Sequence, residues 1–100
     1  MIKVGIVKEG NLYKKIKVTG HANFAKYGQD IVCSACSSIV ITTVNAILSF
    51  DKEAISYIED AGFLEITVLK NNVTTLTLIT NMISLLTDLA NTYPKNIKIL

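Results

Sequence analysis

The chain has 100 residues, of which half are apolar, and a net charge of +2; this length predicts a single domain over residues 1–100. Its basic residues are ten scattered lysines without any arginine, which argues against direct nucleic-acid binding, because nucleic-acid-binding proteins concentrate basic and aromatic side chains on one surface. Residues 1–10 lack the layout of a signal peptide and polar residues interrupt the longest apolar stretch, 31–50, so we expect a cytoplasmic protein without a membrane-spanning helix.

Alternating apolar residues open the chain and predict a β-hairpin. Residues 2–7 alternate with the period of a half-buried strand. A turn at residues 9–11 separates them from a second alternating stretch at 12–19, and so short a connection favours antiparallel pairing. Gly20 then ends the second strand and places His21, the only histidine, at the edge of the sheet.

A loop over residues 22–29 follows and leads into a predicted helix. Within the loop, Phe24 and Tyr27 either close over a bound chain or pack beneath the loop, and the sequence favours neither alternative. Asp30 is a good N-cap, because its carboxylate can accept hydrogen bonds from N–H groups two or three residues further on. The helix it begins is expected to run over 31–48. Its apolar side chains point in several directions, which predicts packing on the sheet and on a second helix or second subunit.

The second half of the chain predicts another hairpin, a second helix and a short last strand. The threonines of residues 73–80 favour a strand locally, but apolar residues recur at helical spacing from Leu76 onward, and Pro94 ends the pattern. The complete order is ββαββαβ, an α+β fold with two helices packed on a mostly antiparallel sheet. The predicted elements here are strands at 54–58 and 63–69 joined by a turn at 59–62, a second turn at 71–72, a helix at 75–92 and a strand at 97–99.

The residues that carry chemistry lie between Gly20 and Ser38. If the helix begins at residue 31, Cys33 occupies its third position, where free backbone N–H groups of the first turn favour a thiolate. The same N–H groups could stabilise the oxyanion that forms when a thiolate attacks a carbonyl, and His21 could pair with the thiolate and protonate the leaving amine. A buried structural cysteine beside a strand-end histidine is the alternative that these residues leave open.

Cys33 and Cys36 also form a C-x-x-C motif at a helix start, so thiol–disulfide exchange is a further alternative. Against it, the motif follows a loop rather than a βαβ strand, and a redox role leaves His21 without a purpose. A zinc site needs about four ligands, and the two cysteines with His21 provide three at most. No metal or cofactor is therefore predicted.

Several short motifs together carry a resemblance to a known family. The motifs are Gly20-His21-Ala22, then Gly28, then the run Asp30-Ile31-Val32-Cys33-Ser34-Ala35 with Ser37. Together they resemble the signature of the ribosomal-processing cysteine proteases, the Prp family. The resemblance extends over essentially the whole chain. It implies a bacterial intracellular endopeptidase that removes the N-terminal extension of a large-subunit ribosomal protein, cutting after a pair of aromatic residues. It also implies a homodimer, and a mobile loop between the catalytic residues that orders over substrate.

The same resemblance makes Cys33 the nucleophile and His21 the catalytic histidine. Asp30 is expected to cap the helix, with orientation of His21 as the alternative. Ser37, one helical turn after Cys33, is expected to contact the substrate backbone, and Gly28 would allow the loop to move.

Cys36 departs from the small apolar residue that is usual in the family. We expect it to pack in the core, with a resolving thiol for Cys33 as the alternative. Two other classes of function remain open: a ribosome-associated binding module that does not cut, and a redox protein that uses the C-x-x-C motif.

Overall fold

The computed structural model describes residues 1–26 and 29–100. It confirms the α+β fold and the predicted element order, ββαββαβ. Within these residues, five strands form one sheet in the order β3-β4-β2-β1-β5, in which only the β1–β5 pair is parallel. The elements are β1 (Ile2–Glu9), β2 (Leu12–Thr19), α1 (Ile31–Phe50), β3 (Ile55–Asp60), β4 (Phe63–Val68), α2 (Val73–Thr92) and β5 (Ile97–Ile99).

One face of the sheet carries the core. The strand register places Val4 opposite Val18 and Val18 opposite Leu64, so apolar side chains of three adjacent strands share that face. This arrangement follows from the alternating pattern of the strands, because successive side chains point to opposite faces. Both helices add buried side chains to the same cluster: Val32, Val40, Val44 and Ile47 from α1, and Ile79, Met82 and Leu86 from α2.

α2 begins earlier than predicted. It starts at Val73 rather than near residue 75, because Asn72, predicted as part of a turn, is its N-cap. The side-chain oxygen of Asn72 accepts a hydrogen bond from the N–H of Thr75 at 2.8 Å. This cap and the helical spacing of the apolar residues together outweigh the local strand preference of the threonines.

α1 and β3 are also longer than predicted. α1 reaches Phe50 instead of ending near residue 48, and the N–H of Asp51 still donates to the carbonyl of Ile47 at 2.8 Å. β3 begins at Ile55 and continues to Asp60, so the turn to β4 is only two residues long. A short turn keeps the β3–β4 hairpin regular up to its tip, which lies beside the candidate site.

The two helices are apolar as well as long. Each has 20 residues, and an 18-residue window in each reaches a mean hydropathy of 2.0 in α1 and 1.4 in α2. By length and composition both could cross a membrane, contrary to the expectation from the interrupted apolar stretch. A buried core helix meets the same criterion, so this is weak evidence for a membrane span. Both helices pack buried side chains into the core on the sheet.

Thr75 offers a test of the packing beneath α2. Its side chain is fully buried, and its Oγ1 has no hydrogen-bond partner among the described residues. Thr75→Val keeps the shape and removes the unpaired hydroxyl, so we expect a gain of about 1 kcal/mol in the free energy of unfolding. Thermal unfolding should show a Tm higher by about 4–8 °C. Thr77→Val, at an exposed position of the same helix, is the matched control; a Tm below that of this control would contradict the prediction.

Candidate active site

His21 lies directly after β2, where Gly20 turns the chain. Gly20 has a φ of +87°, and a Cβ at this position would lie 2.4 Å from the carbonyl oxygen of Met1, so glycine is required. The N–H of Gly20 donates to the carbonyl of Gly62 at 2.9 Å, which joins the end of β2 to the β3–β4 turn. The imidazole then lies against that turn, because a Cβ on Gly62 would be 2.9 Å from His21 Nε2. The tip of the β3–β4 hairpin therefore determines where the imidazole can lie.

Asp30 is the N-cap of α1, at the start of the helix that carries Cys33. Its Oδ1 accepts from the N–H groups of Val32 at 3.0 Å and Cys33 at 2.9 Å, and its Oδ2 accepts from Phe24 at 3.0 Å. Backbone N–H groups, that of Cys33 above all, hold the pKa of the Asp30 carboxyl below its usual value against the opposing effect of burial. Among the described residues its hydrogen bonds go to backbone N–H groups and not to His21. The carboxylate thus joins the loop to the helix.

This cap changes the expected source of hydrogen bonds for the chemistry. We predicted free N–H groups in the first turn of α1, but those of Val32 and Cys33 bind Asp30. A different N–H reaches the thiol: that of Ala22 donates to Cys33 Sγ at 3.3 Å. Such a bond strengthens when the sulfur is charged. The residue after His21 therefore contributes to the site through its backbone.

His21, Cys33 and Ser37 line two adjacent depressions. The inner cavity has a volume of about 220 Å³, and the outer cleft has about 540 Å³. Within residues 1–26 and 29–100, no group of three or more His, Cys, Asp or Glu side chains could hold a metal ion. The inner cavity is lined by Cys36, by the acidic Glu59 and Asp60, and by apolar residues, and the outer cleft is bounded by Asn23, Ala25, Asp30 and Ser34. The apolar residues of the inner cavity are Ile2, Val18, Val40, Ile41, Phe63 and Leu64.

The loop before α1 packs against the end of α2. The ring of Phe24 meets that of Tyr93 edge to face, with 5.4 Å between centroids, although Phe24 is still 44% exposed. For Phe24 the structure shows packing, one of the two alternatives that the sequence left open. Tyr27, the other aromatic residue of this loop, and Gly28, the predicted source of its mobility, lie outside the described residues.

Cys36 lies one helical turn after Cys33 and is buried. Burial, with a smaller contribution from charge at Cys33, raises the pKa of the Cys36 thiol to about 11. Thiol–disulfide exchange requires the thiolate, and Cys36 remains protonated at neutral pH. The geometry favours packing over a resolving role for this residue.

Three contributors to the site were not among the predicted residues: Ala22, Gly62 and Asn96. The Nδ2 group of Asn96 donates to the carbonyl oxygen of Ala22 at 2.9 Å, across 74 positions of sequence. No local pattern indicates contacts of this kind. The glycine of the β3–β4 turn was recognised only as a turn residue, because the sequence does not show which side chain lies over it.

An α+β fold that places a thiol and an imidazole in one cleft, at the start of a helix, has the arrangement of a cysteine protease, and comparison with known proteins shows that the chain is one. It belongs to the Prp family: the family model described as "Cysteine protease Prp" matches residues 1–98.

The relatives cover nearly the whole chain. The ribosomal processing cysteine protease Prp of Staphylococcus aureus (strain Mu50) is 31% identical over 103 residues, which span 99% of this chain and 97% of the relative. The protein of the same name from Mycoplasma pneumoniae is 36% identical over 85 residues, which span 83% of this chain and 82% of the relative.

Solved structures agree with this assignment. The crystal structure of an essential Prp from S. aureus, in complex with a covalently linked product peptide, matches with a TM-score of 0.93 at 29% identity over 99% of this chain and 97% of that one. The same S. aureus protease in complex with a substrate peptide gives a TM-score of 0.87 at 28% identity, over 100% and 98% of the two chains.

Proposed function

We propose that this protein is a cytoplasmic endopeptidase that removes the N-terminal extension of a large-subunit ribosomal protein, cutting after a pair of aromatic residues, and that residues 1–100 act as one protease domain. The observation that carries the proposal is that His21 and Cys33 line the same cavity while the N–H of Ala22 binds Cys33 Sγ. The names of the relatives, ribosomal processing cysteine proteases, support the class of substrate.

Cys33 and His21 divide the chemistry between them. The Cys33 thiolate attacks the scissile carbonyl carbon, so that a C–S bond forms and the carbonyl electron pair moves to oxygen. His21 donates a proton to the amide nitrogen as the C–N bond breaks, which releases the amine product and leaves a thioester on Cys33. His21 then takes a proton from a water molecule that attacks the thioester, and the acid product leaves as the thiolate is restored. The covalently linked product peptide in the S. aureus structure supports a covalent intermediate.

The oxyanion requires a donor other than the capped N–H groups of α1. The oxyanion is the oxygen of the carbonyl carbon that becomes bonded to Sγ, and the backbone nitrogen of Ala22 lies 3.3 Å from this sulfur. We assign this N–H to the oxyanion. Ser37 lines both depressions, and we assign its hydroxyl to the backbone of the bound chain.

Binding of the peptide uses both depressions. An endopeptidase holds substrate on both sides of the bond that it cuts, and the two depressions meet at Cys33. The apolar walls of the inner cavity suit one ring of the aromatic pair, since burial of an aromatic side chain is strongly favourable. The outer cleft, where side chains such as Asn23 and Ser34 can form hydrogen bonds, suits the backbone of the remaining chain.

We also assign a homodimer to this protein. Several large apolar side chains on the helices remain exposed, among them Phe50 at 61% and Leu85 at 42%. Exposed apolar surface of this kind supports association with a second copy.

Of the alternative functions, thiol–disulfide exchange is disfavoured, because the thiol of Cys36 is buried and protonated.

Peptide cleavage tests the proposed function directly. We expect the reduced protein to cut a synthetic peptide that spans the ribosomal protein's extension once, after the aromatic pair, as detected by mass spectrometry. Cys33→Ala and His21→Ala should leave this peptide intact under the same conditions.

A second peptide, with alanines in place of the aromatic pair, is the matched control for specificity and should be cut much more slowly. If the wild-type protein leaves the first peptide intact under reducing conditions, the assigned substrate is wrong, and a different substrate or a binding module that does not cut becomes the better description.

A further inference from the structure

Ala22 is held on two sides, and only one of its partners belongs to the predicted site. Its N–H donates to Cys33 Sγ at 3.3 Å, and its carbonyl oxygen accepts from Asn96 Nδ2 at 2.9 Å. Ala22 itself is 1% exposed, so little room exists for it to adopt another position. The N–H group that faces the sulfur thus belongs to a residue whose carbonyl oxygen is held by the side chain of Asn96, near the C-terminal end of the chain.

Asn96 is firmly placed by its own backbone. Its N–H donates to the carbonyl of Tyr93 at 2.9 Å, at the end of α2, and its carbonyl accepts from the N–H of Ile2 at 2.8 Å, at the start of β1. The next residue begins β5, which pairs with β1 in parallel. The carboxamide therefore projects from a junction of three secondary-structure elements, and such a junction provides a rigid anchor for a loop.

The loop needs an anchor at this point. Asn23, directly after Ala22, has a φ of +55°, a left-handed conformation that costs free energy in a residue other than glycine. Phe24 then packs on Tyr93, the residue whose carbonyl accepts from Asn96. The contact between Asn96 and Ala22 therefore holds the chain immediately before this left-handed residue.

We propose that Asn96 is a positioning residue for catalysis, which holds Ala22 so that its N–H faces Cys33 Sγ and so that His21, one residue earlier, faces the same cavity. This inference rests on the proposed role of Cys33 as nucleophile. Loss of the carboxamide frees the carbonyl of Ala22 and lets the segment 21–23 relax away from the sulfur. The thiolate then loses its N–H partner, and the oxyanion loses its assigned donor.

The test compares Asn96→Ala with Asn91→Ala, the same substitution at an exposed position near the end of α2. At pH 7 we expect Asn96→Ala to slow alkylation of Cys33 by iodoacetamide about threefold to tenfold and to move the pH profile of this reaction to higher pH. For the peptide, kcat should fall about tenfold while KM changes by less than about twofold, because the donor acts in the chemical step. Tandem mass spectrometry assigns the label to Cys33.

Asn96→Leu keeps the branched shape of the side chain without its donor and serves as a second variant if alanine impairs folding. It should reproduce the effects on alkylation and kcat. If both variants lower Tm but leave the alkylation profile and kcat as they are in Asn91→Ala, Asn96 is merely structural and the inference is overturned. Alkylation requires no substrate, so this test gives an answer even if the proposed peptide is not cut.

Discussion

Cys33→Ala is expected to lower kcat for peptide cleavage by at least about 10⁴-fold, whereas Cys36→Ala should lower it by no more than about threefold. Cys33 lines both depressions and its sulfur binds the N–H of Ala22, so alanine removes the atom that we propose forms the acyl intermediate. Cys36 is buried and its thiol, with a pKa of about 11, remains protonated. Its replacement removes packing at a cost of about 1 kcal/mol in stability.

The two variants control for each other, because each removes one thiol from the same helix. Steady-state kinetics with the peptide gives kcat, and iodoacetamide labelling of the wild-type protein should modify Cys33 well before Cys36. Equal losses of activity in the two variants would contradict the assignment of the nucleophile. A reversible loss of two mass units on oxidation, without any peptide cleavage, would instead support the redox alternative.

The fold was predictable because most of its signals are local. The alternation of residues 2–7 and 12–19 places their side chains on known faces of the sheet, and Asp30 marks the start of α1. The errors have local causes too. Asn72 could be a turn residue or an N-cap, and only the hydrogen bond that it accepts from Thr75 decides between them.

The sequence indicates which side chains belong to the candidate site, but not which residues hold those side chains in place. His21 and Cys33 stand out because a strand end and a helix cap can be recognised from a few neighbouring residues. The donor to the sulfur is a backbone N–H, which every residue except proline carries, so nothing in the sequence distinguishes Ala22. Asn96 reaches Ala22 across 74 positions, and Gly62 lies against His21 only because β4 pairs with β2. Contacts of this kind depend on the folded sheet.

Gly62→Ala is expected to lower kcat by about 10²-fold, because the added methyl group displaces the imidazole of His21. A Cβ on Gly62 would lie 2.9 Å from Nε2 and 3.4 Å from Cε1 of His21, so the ring has to move. The substitution has a second effect, since the φ of Gly62 is +68°, where a residue with a Cβ costs roughly 1 kcal/mol more than glycine. A loss of activity therefore has to be separated from a loss of stability.

Gly10→Ala is the control that separates the loss of activity from the loss of stability. Gly10 lies in the β1–β2 turn with a φ of +62°, and a Cβ there would meet no atom within 4 Å. It should show a fall in Tm from the same backbone strain, while its kcat stays within about twofold of wild type because the contact with His21 is absent. Thermal unfolding and peptide kinetics, measured well below both Tm values, give the comparison. If both variants lower kcat equally, position 62 affects activity only through stability, and the imidazole does not depend on the β3–β4 turn for its catalytic position.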